Sequence, residues 1–318
     1  VAYTSIATAG WASGGGVQAA YDKLFRWALK SNLVCEPLAD VQPEDPTSNG
    51  SSVTLFKQAY FASADVVAAT TPLNEEADVT PVKLPAPAAV VLTPTEYGLA
   101  VVRTEKLDRR GLVPVKPIIA QAVARHAGEV IDYLVQTELR NATNLFRAQN
   151  RASTVTITQT DLLRATDIRK SVTTLRANMA APRDMNGNFV GVFHPDVVHD
   201  LREETGSGSW RVPNEYGTDQ NKIWNGEFGL FEGVRFIQTP STLRTTDNDG
   251  ASSEIVHRSF IMGAEALAKA EFQAPTTVVS PQTDLLKRFF GVGWKADVAY
   301  KIFRNESLIA LQSASSLT

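Results

Sequence analysis

Five prolines interrupt the chain between two strand-like runs. The first run is "SVTLFKQAYF" (52–61) and the second is "EYGLAVVRTEKL" (96–107). Between them lie Pro72, Pro81, Pro85, Pro87 and Pro94, together with the acidic "NEEAD" (74–78). Proline has no N–H to give to a strand ladder and fixes its own φ, so a regular sheet cannot continue through this stretch. The pattern predicts a long hairpin over 53–104, with "EYGLAVVRTEKL" as the returning strand and an irregular, extended tip. Insertions of about 50 residues are unusual in compact enzymes and are normally functional or disordered. A two-stranded ribbon alone is marginal in water, so it needs another surface. Its aromatic contact candidates are Phe56, Tyr60 and Tyr97.

The preceding residues, 1–52, read as an arm. "GWASGGG" (10–16) is flexible by composition. A short helix fits "VQAAYDKLFRWALKS", which places Val17, Tyr21, Leu24, Phe25 and Ala28 on one face. The Pro- and Asp-rich "EPLADVQPEDPTSNG" cannot form a long regular element. An arm of this kind buries little against itself and needs a partner surface, on its own chain or a neighbour. Tyr21, Leu24, Phe25 and Trp27 are its candidate anchors.

After the hairpin, Pro117 suits a first helical turn. From there to about Phe146 two adjacent apolar stripes recur at helical spacing: Ile119, Val123, Ala127, Val130 and Leu134, then Ile131, Val135, Leu139, Ala142 and Phe146. Such a helix spans roughly 45 Å and can act as a spine. "TVTIT" (154–158) reads as a strand, and Thr160 as the cap of a second helix bearing Ala165, Ile168, Val172, Leu175 and Met179. Asn186-Gly187 turns into the strand "FVGVF", and Pro195 opens the helix "PDVVHDLREE". The remainder reads as strands: "VRFIQ", "SEIVHRSFIMG", "FFGVGWKADVAYKIF" and "ESLIALQ". This mixture predicts an α+β fold.

Bulk properties narrow the function classes. A hydrophobic content of 43% with 20% charge is ordinary for a folded soluble protein. The net charge of −3 lends no support to a dedicated nucleic-acid reader. No apolar run approaches the roughly 20 residues of a membrane helix, and the first residues show no signal-peptide pattern, so no membrane role is expected. Cys35 is the only cysteine, which excludes an internal disulfide and a cysteine-rich metal site and fits a reducing cytoplasm. The span 105–151 carries eight Lys/Arg (Lys106, Arg109, Arg110, Lys116, Arg125, Arg140, Arg147, Arg151) against five acids. That is either a solvated helix face or a mildly basic surface toward nucleic acid or an acidic neighbour.

Two constellations invite a catalytic reading and fail it. In "WNGEFGLFEGVRFIQTP" the glycines 226, 229 and 233 precede a strand, whereas a dinucleotide loop joins a strand to a helix and a phosphate loop ends in Gly-Lys-Ser/Thr. The glycines therefore predict a sharp turn. In "FHPDVVHD" the residues His194, Asp196, His199 and Asp200 cluster, but two His at i and i+5 do not share a helix face. A strand-to-helix corner with Asp196 near the positive helix end accounts for the segment. His126 and His257 stand isolated in sequence. No catalytic, cofactor or metal site is expected.

The order of pieces resembles the major capsid proteins of tailed bacteriophages, the Hong Kong 97-type shell fold, and more narrowly the phage N4-like major capsid family. The matching stretches are "LTPTEYGLAVVRTEKL", "FVGVFHPDVVHDL", "NGEFGLFEGVRFIQTP" and "RFFGVGWKADVAYKIFRNESLIAL", the last with Gly291, Gly293, Trp294 and Lys295. The resemblance implies an N-terminal arm (1–52), an extended hairpin or E-loop (53–104), a spine helix and peripheral domain (105–187), an axial domain (188–275) and return strands of the peripheral domain (276–318). It implies a structural subunit that assembles with itself, as hexamers and pentamers, into an icosahedral shell around double-stranded DNA. The DNA would be held by non-specific contacts, and cement, scaffold or portal proteins are further partners. The location implied is the virion capsid, assembled in the bacterial host cytoplasm. Some relatives of the fold join a hairpin Lys to a neighbour's Asn. Lys57 and Lys83 lie in the matching region, but no Asn or base is assigned, so no covalent link is expected. The alternatives are a cellular nanocompartment shell of the same fold and a soluble enzyme using the His194–Asp200 cluster.

Overall fold

The computed structural model describes residues 33–43, 51–58, 70, 72, 81–110, 115–204, 227–240, 249–280 and 288–317. Eleven strands and four α-helices run through them in the order β1 (Val53–Lys57), β2 (Ala88–Leu92), β3 (Thr95–Thr104), α1 (Glu105–Arg110), α2 (Val115–Leu139), β4 (Leu145–Arg147), α3 (Ala165–Ala177), β5 (Phe189–Phe193), α4 (Pro195–Glu203), β6 (Glu227–Phe231), β7 (Val234–Gln238), β8 (His257–Met262), β9 (Leu267–Ser280), β10 (Phe289–Ile302) and β11 (Leu308–Ser313). They form a two-stranded sheet β1-β2, a three-stranded sheet β3-β10-β9 and a six-stranded sheet β4-β11-β8-β5-β7-β6.

The six-stranded sheet is buried on both faces, and its strands alternate accordingly. Val190, Val192, Phe260, Met262, Leu308 and Ala310 point to one side, where they meet Val135 and Leu139 at the end of α2 together with Cys35 and Leu38. Phe189, Phe193, Phe236, Ile261, Ile309 and Leu311 point to the other, against Ile168, Val172 and Leu175 of α3 and Val197, Val198 and Leu201 of α4. Phe193 and Phe236 stack with ring centroids 4.6 Å apart. Both faces need apolar residues, so "FVGVF" and "FIM" read as continuous apolar runs.

Helix α2 is the expected spine, but it stops at Leu139. Its buried stripe runs through Ala120, Val123, Ala127, Ile131, Val135 and Leu139 at steps of three and four, with Ala124 beside it. Its first half packs on the three-stranded sheet through Trp294, Ala296 and Val298. Beyond it the chain is drawn into β4, where Phe146 lies opposite Leu311 of β11. Asn144 fixes this departure by donating from Nδ2 to the Asn305 carbonyl at 2.6 Å.

Three local expectations are corrected. "TVTIT" is not a strand: Thr154–Thr156 is a single 3-10 turn, in which the Thr156 hydroxyl donates to the Ser153 carbonyl at 2.7 Å. Thr160 caps nothing, because Asp161 accepts from Thr158 N at 2.8 Å and from Arg151 Nε at 2.8 Å and holds a turn there. The helix starts at Ala165, whose N–H donates to Glu204 at 2.9 Å, while Asp167 accepts from Arg164 N at 3.2 Å. Met179 lies past its end and is 92% exposed. The strand β9 was not expected. It carries Lys269, Glu271 and Gln273 in alternation, and Pro275 falls where the register with β10 slips between Lys295 and Asp297.

The hairpin pairing also differs. β1 returns as β2, with Val53 opposite Leu92 and Lys57 opposite Ala88, whereas "EYGLAVVRT" pairs with β10. Thr93 and Pro94 separate β2 from β3. Pro94 offers no N–H, so the ladder breaks there and the chain passes from one sheet to another.

The three-stranded sheet depends on glycine. A Cβ at Gly293 would lie 2.5 Å from the Leu99 carbonyl oxygen, and one at Gly98 2.6 Å from the Trp294 carbonyl oxygen. Both obstacles are backbone and cannot rotate away. Replacing Gly293 with Ala is expected to cost about 1–3 kcal/mol, as overpacked sites do. The check is a lower urea midpoint at unchanged slope. Among the glycines 226, 229 and 233, the last has a simpler role. Glu232 (φ 51°) and Gly233 (φ 79°) form the two-residue turn joining β6 to β7. Left-handed geometry at both positions is the mirror-type turn that strand twist favours. Gly226 lies outside the described residues.

Candidate functional site

A subunit that assembles must hold its own reaching segments firmly and present other surfaces uncovered. The segment 34–36 is held by two polar residues inside the buried stripe of α2, Asp132 and Gln136, each 1% exposed. The Asp132 carboxylate accepts from Val34 N at 2.9 Å and from Cys35 N and Glu36 N at 3.1 Å each. Gln136 Nε2 donates to Cys35 Sγ at 3.5 Å. The carboxylate thus collects the N–H groups that precede the 3-10 turn Glu36–Leu38. Burial raises the Asp132 pKa to about 6, against the pull of the three N–H donors, with Glu36 adding to the rise. Burial also pushes the Cys35 thiol far up, with Asp132 adding to it, so the thiol stays protonated and inert. Leu38 and Ala39 complete the anchor in the core. Arg183 clasps its outer side, donating to the Leu38 carbonyl at 2.7 Å and the Pro37 carbonyl at 3.1 Å. Residues 34–38 are therefore anchored on their own subunit.

The hairpin β1-β2 sits on the body by one face. Val53 and Leu92 pack on Ala268 and Ala270 of β9, with Leu55, Val90 and Phe272 around them. Its loop end is tied by Lys57 Nζ to Glu306 at 2.7 Å, and that bond holds the Glu306 carboxyl below its usual range. The opposite face carries Phe56, 67% exposed, and Val91, 42% exposed. Lys57 of the cross-linking region is thus engaged within its own chain. Lys83 is described among exposed residues.

Of the expected contact residues, Phe56 stands out from its chain and Tyr97 is half-buried against the cluster formed by α2 and β10. Tyr21, Leu24, Phe25, Trp27 and Tyr60 lie outside the described residues. An exposed apolar surface that the sequence did not single out is the face of the three-stranded sheet away from α2. There Val102 (65% exposed), Val278 (40%) and Phe289 (41%) surround the glycines Gly98, Gly291 and Gly293. The pairing of these strands, hidden in sequence, is what brings them together.

Four of the basic residues of 105–151 face partners of their own chain among the described residues, whereas Lys106 and Lys116 are exposed. Arg151 pairs with the buried Asp161 at 2.8 Å, Arg140 approaches Asp249 at 3.9 Å, and Arg125 approaches Glu129 at 3.8 Å. Arg147 donates to Gln312 at 3.0 Å and to the Ala152 carbonyl at 3.1 Å. His126 accepts from the Trp294 indole at 3.2 Å and so serves packing between α2 and β10.

The histidine corner is assembled differently from its sequence. His194 caps α4, its Nδ1 accepting from Asp196 N at 3.3 Å. His199 is 44% exposed with its Nδ1 3.6 Å from Asp200, whose carboxylate accepts from Ser316 N at 3.0 Å and from the Ser316 hydroxyl. The neighbour of His194 is instead His257, at the start of β8. Their rings stack at 4.8 Å with 26° between planes. His257 is therefore not isolated, which corrects the sequence reading. The cause is the antiparallel pairing of β5 with β8, a register no sequence spacing reveals. The four-residue cluster is divided into two unrelated contacts and offers no nucleophile–base–orienter arrangement.

Comparison with known proteins completes the picture. The family described as "Phage capsid protein" matches residues 136–302, more than half of the chain. No curated protein matches its sequence. Among solved structures it resembles the capsid of Ralstonia phage GP4 at 13% identity and a TM-score of 0.69, covering 87% of each chain. It resembles the capsid of cyanophage Pam1 at 16% identity and a TM-score of 0.60, covering 86% of this chain and 88% of that one. A virus-like particle from Pyrococcus furiosus is similar at 11% identity and a TM-score of 0.53, covering 93% of this chain and 99% of that one. The α+β architecture is the Hong Kong 97-type fold. The matched span contains the end of the spine helix, the whole histidine corner and the β9-β10 ribbon, and on it the chain belongs to the phage capsid protein family, as a structural, non-enzymatic subunit of a virion shell.

Proposed function

We propose that this capsid protein forms an icosahedral shell of hexamers and pentamers around double-stranded DNA, and that within its family it is similar to the phage N4-like major capsid proteins. The observation that carries the assembly reading is the hairpin β1-β2, fixed to its own subunit by one face and offering Phe56 and Val91 on the other. The N4-like reading is supported by the four sequence stretches named above. They form β3 with the start of α1, β5-α4, β6-β7 and β10-β11. In this reading residues 1–52 are an arm, 53–104 the E-loop, 105–187 the spine and peripheral domain, 188–275 the axial domain and 276–318 return strands. Phe56 and Tyr97, with Tyr21, Leu24, Phe25, Trp27 and Tyr60, contact neighbouring subunits. DNA is held by scattered phosphate contacts without base readout, consistent with the balanced charges around the spine. Cement, scaffold and portal proteins complete the particle, which assembles in the bacterial host cytoplasm.

Electron microscopy of the expressed protein, followed by extraction of the particle contents, tests this reading. Closed shells that package double-stranded DNA during infection are the expected result. Shells that enclose enzymes and no genome would establish the nanocompartment instead. A single band near 34.5 kDa after boiling in detergent is expected, because Lys57 is held by Glu306 and no covalent link is proposed.

A further inference from the structure

We propose that His194, Asp196 and His257 form a binding site for a divalent transition-metal ion, best suited to zinc. The three residues come from the end of β5, the first turn of α4 and the start of β8, so an ion here would join three elements. His194 and His257 are 2% and 1% exposed. The Asp196 carboxylate lies 3.1 Å from His194 Nδ1 and 3.8 Å from His257 Nε2, and one ligand atom from each of the three residues falls within 4.8 Å of the others.

Metal bonds of about 2.0–2.1 Å in a tetrahedral arrangement separate ligand atoms by roughly 3.3–3.4 Å. The two distances to Asp196 bracket that value, while the widest separation in the set, up to 4.8 Å, requires the ligand atoms to draw together on binding. The donor set, two imidazole nitrogens and one carboxylate oxygen, suits zinc among the biological divalent ions, whereas calcium and magnesium prefer all-oxygen sites. Binding would trade away the long 3.3 Å cap bond from Asp196 N to His194 Nδ1, a small loss against two metal–nitrogen bonds. The Asp196 side chain is 21% exposed while the two imidazoles are 3% and 0% exposed, so the carboxylate marks the side from which an ion would enter and a solvent ligand would complete the fourth position.

The role of such a site is structural. The chain has one cysteine and no disulfide to tie its six-stranded sheet to α4. An ion bound only by the folded chain stabilises it by mass action.

The test uses the full chain, stripped with EDTA and dialysed against Zn2+ or Co2+. About one equivalent of metal per chain is expected, with the visible absorption of tetrahedral Co2+ and a thermal midpoint at least about 5 °C above the EDTA sample. His194→Gln and His257→Gln should each lose the stoichiometric metal, while His199→Gln retains it. Because a buried variant can fail to fold, the wild-type comparison decides alone. Equal midpoints in EDTA and in saturating Zn2+, without stoichiometric binding, overturn the proposal. So does equal metal content in folded His257→Gln and His199→Gln.

Discussion

Replacing Asp132 with Ala is expected to release residues 34–36 from the spine helix and to make Cys35 react with a thiol reagent within minutes, where the native thiol stays inert. The carboxylate accepts from three backbone N–H groups at 2.9–3.1 Å in a site that is 1% exposed. Each buried donor left without an acceptor costs about 1–3 kcal/mol, and water entering the vacated space recovers part of it. A net loss of about 3–5 kcal/mol follows, large against the usual stability of a domain. Cys35 is the natural reporter because it is the only cysteine, is fully buried, and lies between two of the anchored N–H groups. An Asp132→Ala protein as stable and as unreactive as the wild type would show that Leu38, Ala39 and Arg183 anchor this segment without the carboxylate.

The same group fixes a direction for pH. Its folded pKa is raised to about 6 from an ordinary value near 3.8, with burial the leading cause. Between those values the folded chain binds a proton that the unfolded chain has released, so this group's contribution to stability falls as pH rises. The contribution is fully present below pH 4 and is lost as pH rises through 6. About two units correspond to about 3 kcal/mol across the window. Acid therefore stabilises the fold at this site by removing a buried charge, although the protonated carboxyl is the weaker acceptor for the three N–H groups. Comparing wild type with Asp132→Asn, which does not titrate, should show the wild type losing ground between pH 4 and pH 6. An opposite slope would mean that the three N–H donors outweigh burial.

These two residues also show what a sequence can conceal. The spine helix is legible because Val123, Ala127, Ile131, Val135 and Leu139 recur at helical spacing against a single sheet and core. Asp132 and Gln136 interrupt that pattern as polar residues and carry no sign that residues 34–36, about 100 positions earlier, are their partners. Local hydrogen bonds of Thr and Asp overrode the strand propensity of "TVTIT". β9 was hidden because its alternation is polar and a proline marks its bulge. The glycine turn at 232–233 was readable, because backbone geometry demands the residue type. The pairing of His194 with His257 was not, since it depends on strand register alone. Resemblance reached further than periodicity here in pointing to the shell fold, but not to its strand pairings: β3, read as the returning strand of the hairpin, pairs with β10.

Changing Phe56 to Asp is expected to leave the isolated subunit nearly unchanged and to abolish shell formation. Phe56 is 67% exposed and lies on the outer face of β1, opposite Ala89 of β2. Surface changes of this kind alter folding stability by about 0.5 kcal/mol or less. The inner face is different: Val53 and Leu92 are 6% and 1% exposed and hold the hairpin on β9. Leu92→Ala should therefore destabilise the subunit itself, by about 2–5 kcal/mol if the site cannot collapse. The two variants separate anchoring from assembly. An aromatic residue buried at an interface carries about 2 kcal/mol or more, and a buried unpaired carboxylate adds a further penalty. In a closed shell that loss recurs in every subunit, so a modest change per contact becomes a failure of the whole particle. Sedimentation of Phe56→Asp should show soluble subunits with native circular dichroism and no particles, while the Lys57–Glu306 bond still holds the loop end of the β1-β2 ladder. Particles at normal yield and normal thermal stability would place the interface elsewhere, with the open face of the three-stranded sheet around Val102, Val278 and Phe289 the next surface to alter.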